Sequence, residues 1–307
     1  MPAGLTDTAM NPLKVFTRPE YAFRPRQIFT RLRRLLTPLP ATAVVTLPWG
    51  DVVRVCPRET IGAEIWHCGV FDLPVAETLW RLLDMGETAL DVGANLGQMT
   101  SLLRCKAGPA GRVLAFEPHP QLFAALEFLR DAPANQRPGA TLELFRAALS
   151  DTAGEAWLDP GAQWQANHGL SRVTTADSGG RAVPIQLRTL DEVLPADARV
   201  GVAKVDVEGH EMAVLRGAAR LLERQAIRDC VYEDLAPQPS PVQALLRARG
   251  YSIFTLQAHR RGPGIRASEM AAEPADLQHN FLATLDPARA QARLAAPGWQ
   301  VLSTGGT

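Results

Sequence analysis

The sequence predicts an α/β fold: a mostly parallel sheet with helices packed on both faces. Two observations carry this. From about residue 73 to residue 285, short apolar runs of strand length alternate with segments at helical spacing, the pattern of repeated strand–helix units. The stretch 87–92 alternates before its apolar residues Ala89, Leu90 and Val92, and 200–207 is mostly apolar, as strands buried on both faces are.

The elements follow in order. In the first 40 residues prolines mix with Arg24, Arg26, Arg31, Arg33 and Arg34. Interleaved Ile28, Phe29, Leu32, Leu35 and Leu36 predict a short amphipathic helix over 25–36, packed on the domain or on a partner chain rather than on a membrane. Residues 42–47 and 52–55 read as two strands around the turn Pro48-Trp49-Gly50-Asp51. Asp72 and Pro74 open a helix with Val75, Leu79, Leu82 and Leu83 on one face. The first core strand ends at Val92, and Leu96, Met99, Leu102 and Leu103 recur at helical spacing beyond it.

Further strands are expected at 112–116 and 141–148, with a helix over 121–130 between them. Residues 150–182 read as one irregular polar segment carrying Trp157, Trp164, Asn167, His168, Ser171 and the pair Gly179-Gly180. Such a segment inside a compact domain is usually a lid or binding loop. Thr189 and Glu192 form a capping box. Next come a strand at 200–207, a helix over 211–224, a strand at 230–233, a helix over 242–249 closed by Gly250, and a strand at 251–256. Residues 258–275 read as a loop, and 280–285 as the last strand. The division this suggests is an arginine-rich extension and β hairpin over 1–65, a main domain over 66–290 and a tail over 291–307.

Lys+Arg and Asp+Glu both number 32, so the whole-chain charge gives no reason to expect nucleic acid or an anionic membrane as partner. Cys56, Cys68, Cys105 and Cys230 contain no C-x-x-C pair and read as buried thiols in a reducing compartment. No apolar run reaches the ~18 residues of a spanning helix, and the N-terminus has no signal-peptide core. The expectation is a cytoplasmic protein, with a homo-oligomer as its candidate assembly.

The chain is organised around Asp91-Val92-Gly93-Ala94-Asn95-Leu96-Gly97. A strand, a glycine turn and a helix N-terminus make a nucleotide-binding corner. The leading acid sets this turn apart from a pyrophosphate-binding one. A carboxylate aimed at the ligand suits a cation, such as the sulfonium and amine of S-adenosylmethionine. Glu117 ends the next strand, 20 residues after Gly97, roughly where a second-strand acid meets a ribose.

Ligands in open parallel sheets bind at the carboxyl ends of strands. That should gather Asp91, Glu117, Ala148, Asp206, Glu208 and Glu233 at one crevice. In Lys204-Val205-Asp206-Val207-Glu208-Gly209-His210-Glu211 the charged side chains alternate along one side. Charges there are costly unless used or paired. An ion pair of Lys204 with a neighbouring acid is the plain alternative.

These motifs, with Phe116-Glu117-Pro118, Thr189-Leu190-Asp191-Glu192 and Leu245-Leu246 through Gly250-Tyr251, resemble the FkbM family of S-adenosylmethionine-dependent methyltransferases over roughly residues 66–285. The resemblance implies a class I methyltransferase (Rossmann-like) fold, usually seven strands ending in an antiparallel hairpin. It also implies O-methylation of a small-molecule or glycosylated acceptor: a sugar, a polyketide or another natural product. Asp91, Gly93, Asn95 and Gly97 would lie along the cofactor turn, Glu117 at the ribose, Ala148 with Ala147 beside the adenine, and Asp206 near the transferred methyl. Asp206, Glu208 and His168 are the catalytic candidates, with His210 a further possible base.

Two rivals stand beside this reading. One is an NAD-dependent Rossmann oxidoreductase, disfavoured by the glycine spacing. The other is a non-catalytic cofactor-binding subunit, disfavoured by the intact acids at 91, 117 and 206. A magnesium ion on Asp206, Glu208 and Glu233 is chemically conceivable, but no further ligand pattern supports it and no metal is expected.

Overall fold

A computed structural model describes residues 18–36, 38–176, 180–259, 262–268 and 279–303. The start of the extension, Gly179, part of the 258–275 segment and the last four residues lie outside the described residues.

Helices α1 (Pro19–Phe23) and α2 (Arg26–Leu35) precede an antiparallel hairpin of β1 (Ala43–Thr46) and β2 (Val52–Val55). Helix α3 (Thr60–Cys68) is capped by Glu59, whose carboxylate accepts from the Ile61 and Gly62 N–H groups. Asp72, with φ 47°, caps α4 (Leu73–Leu82) through the Val75 N–H. Strand–helix units follow: β3 (Thr88–Val92), α5 (Gln98–Ala107), β4 (Arg112–Phe116), α6 (Pro120–Asp131) and β5 (Thr141–Phe145). A region of small strands comes next, with β6 (Ala148–Leu149), β7 (Gly154–Asp159), β8 (Arg172–Thr174) and β9 (Val183–Arg188). The remainder is α7 (Leu190–Val193), β10 (Val200–Val205), α8 (Glu211–Arg216), α9 (Ala219–Glu223), β11 (Ile227–Glu233), α10 (Pro241–Ala248), β12 (Ser252–His259), β13 (Gly262–Ala267), β14 (Asn280–Thr284), α11 (Pro287–Ala295) and α12 (Gln300–Ser303).

Among the described residues the main sheet has eight strands, in the order β13-β12-β14-β11-β10-β3-β4-β5. Pairs from β11 to β5 are parallel, whereas β14 runs antiparallel to both β11 and β12. One layer of core lies on each face, and residue alternation along the strands assigns the sides. Ala89, Val202 and Val231 pack with α4, α5, α6, α11 and α12. Leu90, Ala203 and Tyr232 pack with α8, α9 and α10.

The eighth strand departs from the seven expected. Gly262–Ala267, read as part of a loop, pairs antiparallel with β12. A Gly-Pro-Gly start carries no strand propensity, but an edge position tolerates a proline that cannot donate. The expected strand 141–148 breaks at Arg146-Ala147, because Ala148, with Leu149 beyond it, joins β9 instead of β4. The expected helix 211–224 divides near Gly217, where a Cβ would lie 1.9 Å from the Ser150 carbonyl oxygen. That close approach of two backbones ends α8.

Residues 150–182 are a correction of substance. They are not one irregular segment: β7 and β8, with β6 and β9, form a second sheet in the order β6-β9-β7-β8. Polar, exposed strands of this kind show no apolar run to read. The capping box is half formed. Thr189 Oγ1 accepts from the Glu192 N–H, while the Glu192 carboxylate pairs with Arg188 instead.

The segment read as a tail is built into the fold. Val301 and Leu302 are buried in the same core as hairpin residues Val53 and Val55. Within the described residues, no helix is long and apolar enough to cross a membrane.

Candidate active site

A cavity of about 800 Å³ lies at the carboxyl ends of the central strands, within the usual size of small-molecule sites. One wall is the turn after β3. Gly93, with φ 79°, sits where a Cβ would meet the Asp206 carbonyl oxygen at 1.9 Å, so only glycine lets β3 and the end of β10 approach. The Gly93 and Ala94 N–H groups donate to the Phe116 carbonyl at 3.0 Å. Asn95, with φ 50°, turns its side chain back to accept from the Leu96 N–H at 2.8 Å.

Glu117 ends β4 in this wall. Its carboxylate is buried and accepts from the Asn95 N–H at 2.9 Å and the His119 N–H at 2.8 Å. Burial pushes its pKa up to about 7 against the pull of those donors.

Of the predicted residues, Gly93, Asn95, Glu117, Ala148, His168, Asp206 and Glu208 line this one cavity, as does His210. Asp91 and Gly97 do not. Asp91 is wholly buried on β3, one layer behind the wall. Its Oδ2 accepts from the Thr100 hydroxyl at 2.6 Å, and its Oδ1 lies 3.7 Å from the Lys204 ammonium. Register explains the pair, since Asp91 and Lys204 are neighbours across the parallel β3–β10 ladder. Lys204 in turn donates to the Gly93 carbonyl at 2.7 Å and lies 3.3 Å from Asp206. The leading acid of the turn therefore acts through Lys204, which holds the loop backbone. Gly97, with φ 85°, faces Leu126 and Leu129 and serves the contact of α5 with α6.

The far wall is acidic. Carboxylate oxygens of Asp206, Glu208 and Glu233 lie within 4.8 Å of one another. Burial, then the Asp206 charge, pushes Glu208 up to about 7. The same causes, with Glu208 added, push Glu233 up to about 8. Like charges this close cannot all ionise near neutrality, so the cluster keeps a proton there. Glu208 has φ 54°, and the Glu211 carboxylate ties its loop by accepting from the Val207 and Gly209 N–H groups at 3.1 Å.

Residues 160–171 run across this wall. The Ala166 carbonyl accepts from the Thr60 N–H and hydroxyl, which ties the loop to the start of α3. Trp164 lies between the His119 and His168 rings, with centroids at 4.0 and 4.3 Å. Burial lowers both imidazole pKa values, that of His119 to about 4, so both rings are neutral at pH 7. His168 Nδ1 and Ser171 Oγ are buried and without partners among the described residues. Both residues line the cavity. His210 Nε2 is 3.0 Å from the Ser150 hydroxyl and is thereby held away from the helix start.

Asp72 and Asn280 complete the lining, joined by a 2.8 Å bond from Asn280 Nδ2 to Asp72 Oδ2. Sequence reading took Asp72 only for a helix cap. Its cavity position has no sequence signal, because it depends on β14 returning antiparallel beside β11.

The chain is similar to known methyltransferases. The methyltransferase FkbM domain matches residues 91–253, more than half of the chain. A hexuronic acid methyltransferase of Haloferax volcanii is 32% identical over 166 residues, 52% of this chain and 62% of that protein. The chain thus spans less than two thirds of that relative's length. Methyltransferase sdnD of Sordaria araneosa is 28% identical over 194 residues, 53% of this chain and 73% of that protein. The crystal structure of methyltransferase FkbM from Methylobacillus flagellatus KT is 16% identical, with a TM-score of 0.38 over 64% of this chain and 43% of that one.

Proposed function

We propose, from the premise that this chain belongs to the methyltransferase FkbM family and has the class I methyltransferase fold, that it methylates a hydroxyl group using S-adenosylmethionine. The observation that carries the reading is the charge of the cavity. Asp72, Glu117, Asp206, Glu208 and Glu233 line it, against one ammonium among the described residues, that of Lys204. Such a wall suits a cationic ligand and gives little to a pyrophosphate. Glu117 is fixed by two backbone donors with its carboxylate at the wall, as a ribose acceptor needs to be. His168 Nδ1 and Ser171 Oγ are buried polar atoms without partners among the described residues, on residues that line the cavity.

The cofactor would supply an electrophilic methyl group. Gly93, Asn95, Glu117 and Ala148 would hold it, with Asp91 acting through Lys204. The protein's remaining task is to orient an acceptor hydroxyl and take its proton. Glu208 is the proposed base. Its raised pKa matches neutral operation, and Glu233, pushed up further to about 8, holds its proton where Glu208 ionises. Asp206 orients the hydroxyl, and His168, neutral within its ring stack, shapes the acceptor side.

The relatives' names suggest the acceptor class. A hexuronic acid methyltransferase among them makes sugar-bearing acceptors the first to try. Calorimetric titration with S-adenosylhomocysteine and with NAD tests the cofactor. Binding of NAD alone overturns the reading. Methyl release with acceptor sugars tests the reaction: Asp206→Asn is expected to lose about a hundredfold in turnover with cofactor affinity nearly kept.

A further inference from the structure

The balanced charge of the chain conceals a segregated one. From residue 21 to residue 50 there is no Asp or Glu, while Arg24, Arg26, Arg31, Arg33 and Arg34 all fall there. Helix α2 sits in this stretch, and the structure sorts its side chains. Arg31 donates to the Tyr21 hydroxyl, and the Arg34 guanidinium lies 3.6 Å from the Trp66 ring centroid. These two arginines hold α2 on the body of the protein.

The apolar residues take the other side. Phe29, Leu32 and Leu36 are 74%, 46% and 86% exposed. Their spacing of three and then four residues puts them on one stripe. Arg26 and Arg33, both exposed, lie three and four residues from Phe29 and so border that stripe along one side. The helix packs on the domain, as its sequence leads one to expect, but through the cation–π and hydroxyl contacts of Arg34 and Arg31, which leave Phe29, Leu32 and Leu36 outward.

We propose that α2 docks this protein on an anionic lipid surface, with Phe29, Leu32 and Leu36 entering the interface and Arg26 and Arg33 meeting the headgroups. Apolar residues beside cations on one short helix form the pattern of interfacial helices. A second copy fits worse. In a symmetric dimer the same patch meets itself, and this patch would bring arginines against arginines with no acid in residues 21–50 to receive them. The docked helix rests on α3, and α3 supplies Thr60, Ile61 and Ile65 to the cavity, so the bilayer would lie near the proposed site. None of the α2 residues lines the cavity, and docking is independent of which acceptor is methylated.

Vesicle sedimentation of the full chain tests this, with phosphatidylcholine alone and with added phosphatidylglycerol. Partition is expected only with the anionic lipid and should fall as salt screens the arginines. Arg26→Glu with Arg33→Glu, and separately Phe29→Glu with Leu36→Glu, should each reduce it roughly tenfold or more. S-adenosylhomocysteine affinity should stay unchanged in both, which shows that the variants are folded. Absence of partition at low salt overturns the proposal, as does equal binding to both vesicles or binding that survives both variants. A concentration-dependent dimer lost in Phe29→Glu, without vesicle binding, would assign the stripe to a second copy instead.

Discussion

Single side chains set the chemistry, and their environments make it measurable. Glu117 was legible in the sequence because an acid closing the second core strand is unusual and its distance from Gly97 is informative. Glu117→Gln removes the charge and keeps an acceptor oxygen for only one of the two backbone donors, its NH2 group facing the other, so its urea midpoint is measured beside its affinity. S-adenosylhomocysteine affinity is expected to fall ten- to a hundredfold, roughly the loss of one charge-assisted hydrogen bond. Unchanged calorimetric affinity would remove Glu117 from the cofactor site. Glu208 predicts a pH profile. As a base it works ionised, so turnover should climb as pH rises through about 7, and Glu208→Gln should abolish that rise. Stability runs the other way. Glu208 and Glu233 bind protons more tightly folded than unfolded. Their contribution is complete below about pH 4.5, the ordinary glutamate value, and is lost as pH rises through 7 and 8. Glu233→Gln should flatten that decline in urea midpoints measured from pH 5 to pH 9. An unaltered slope would mean that Glu233 titrates normally.

Among the elements, those with periodicity were readable and those made by pairing were not. Buried strands β3, β4 and β10 announce themselves as apolar runs ending in acids, and helices α4 to α6 by their spacing. Strands β7 to β9 and β13 exist because a partner strand satisfies their backbone, which local composition does not encode. The loop 160–171 combines both kinds. Its polarity marked it as a cover, yet its anchor is the Ala166 carbonyl held by Thr60, 106 residues away. That anchor predicts a division in hydrogen exchange. Amides of β7 and β9, paired within their own sheet, should be protected without ligand. Those of 160–171 depend on a few contacts and on ring stacking, and should slow when S-adenosylhomocysteine binds. Equal rates with and without ligand would leave this loop a plain surface connection.

For the whole molecule, one buried ion pair on α4 fastens residues 293–301 to the main domain. Glu77 and Arg81, one turn apart on α4, are almost fully buried and bonded at 2.6 Å. Neither spends its remaining capacity on its own helix. Arg81 donates to the carbonyls of Arg293, Ala296 and Gly298, and Glu77 accepts from the Gln300 and Val301 N–H groups. The pair thus fixes the turn between α11 and α12 and caps α12. Behind it, Trp299, Val301 and Leu302 share a core with the hairpin residues Leu47, Val53 and Val55. Nothing local foretold this, since the helix pattern of 73–82 has the same form whether or not a chain end docks on it. Replacing one member strands the other: Glu77→Gln leaves the Arg81 cation buried without a counter-charge, which costs about 3–5 kcal/mol. The urea midpoint should fall accordingly, and exchange at the Gln300 and Val301 amides should quicken. S-adenosylhomocysteine affinity should be kept while the protein remains folded, because neither residue lines the cavity. A variant with a wild-type midpoint would mean that the C-terminal helices add nothing to the stability of the methyltransferase body.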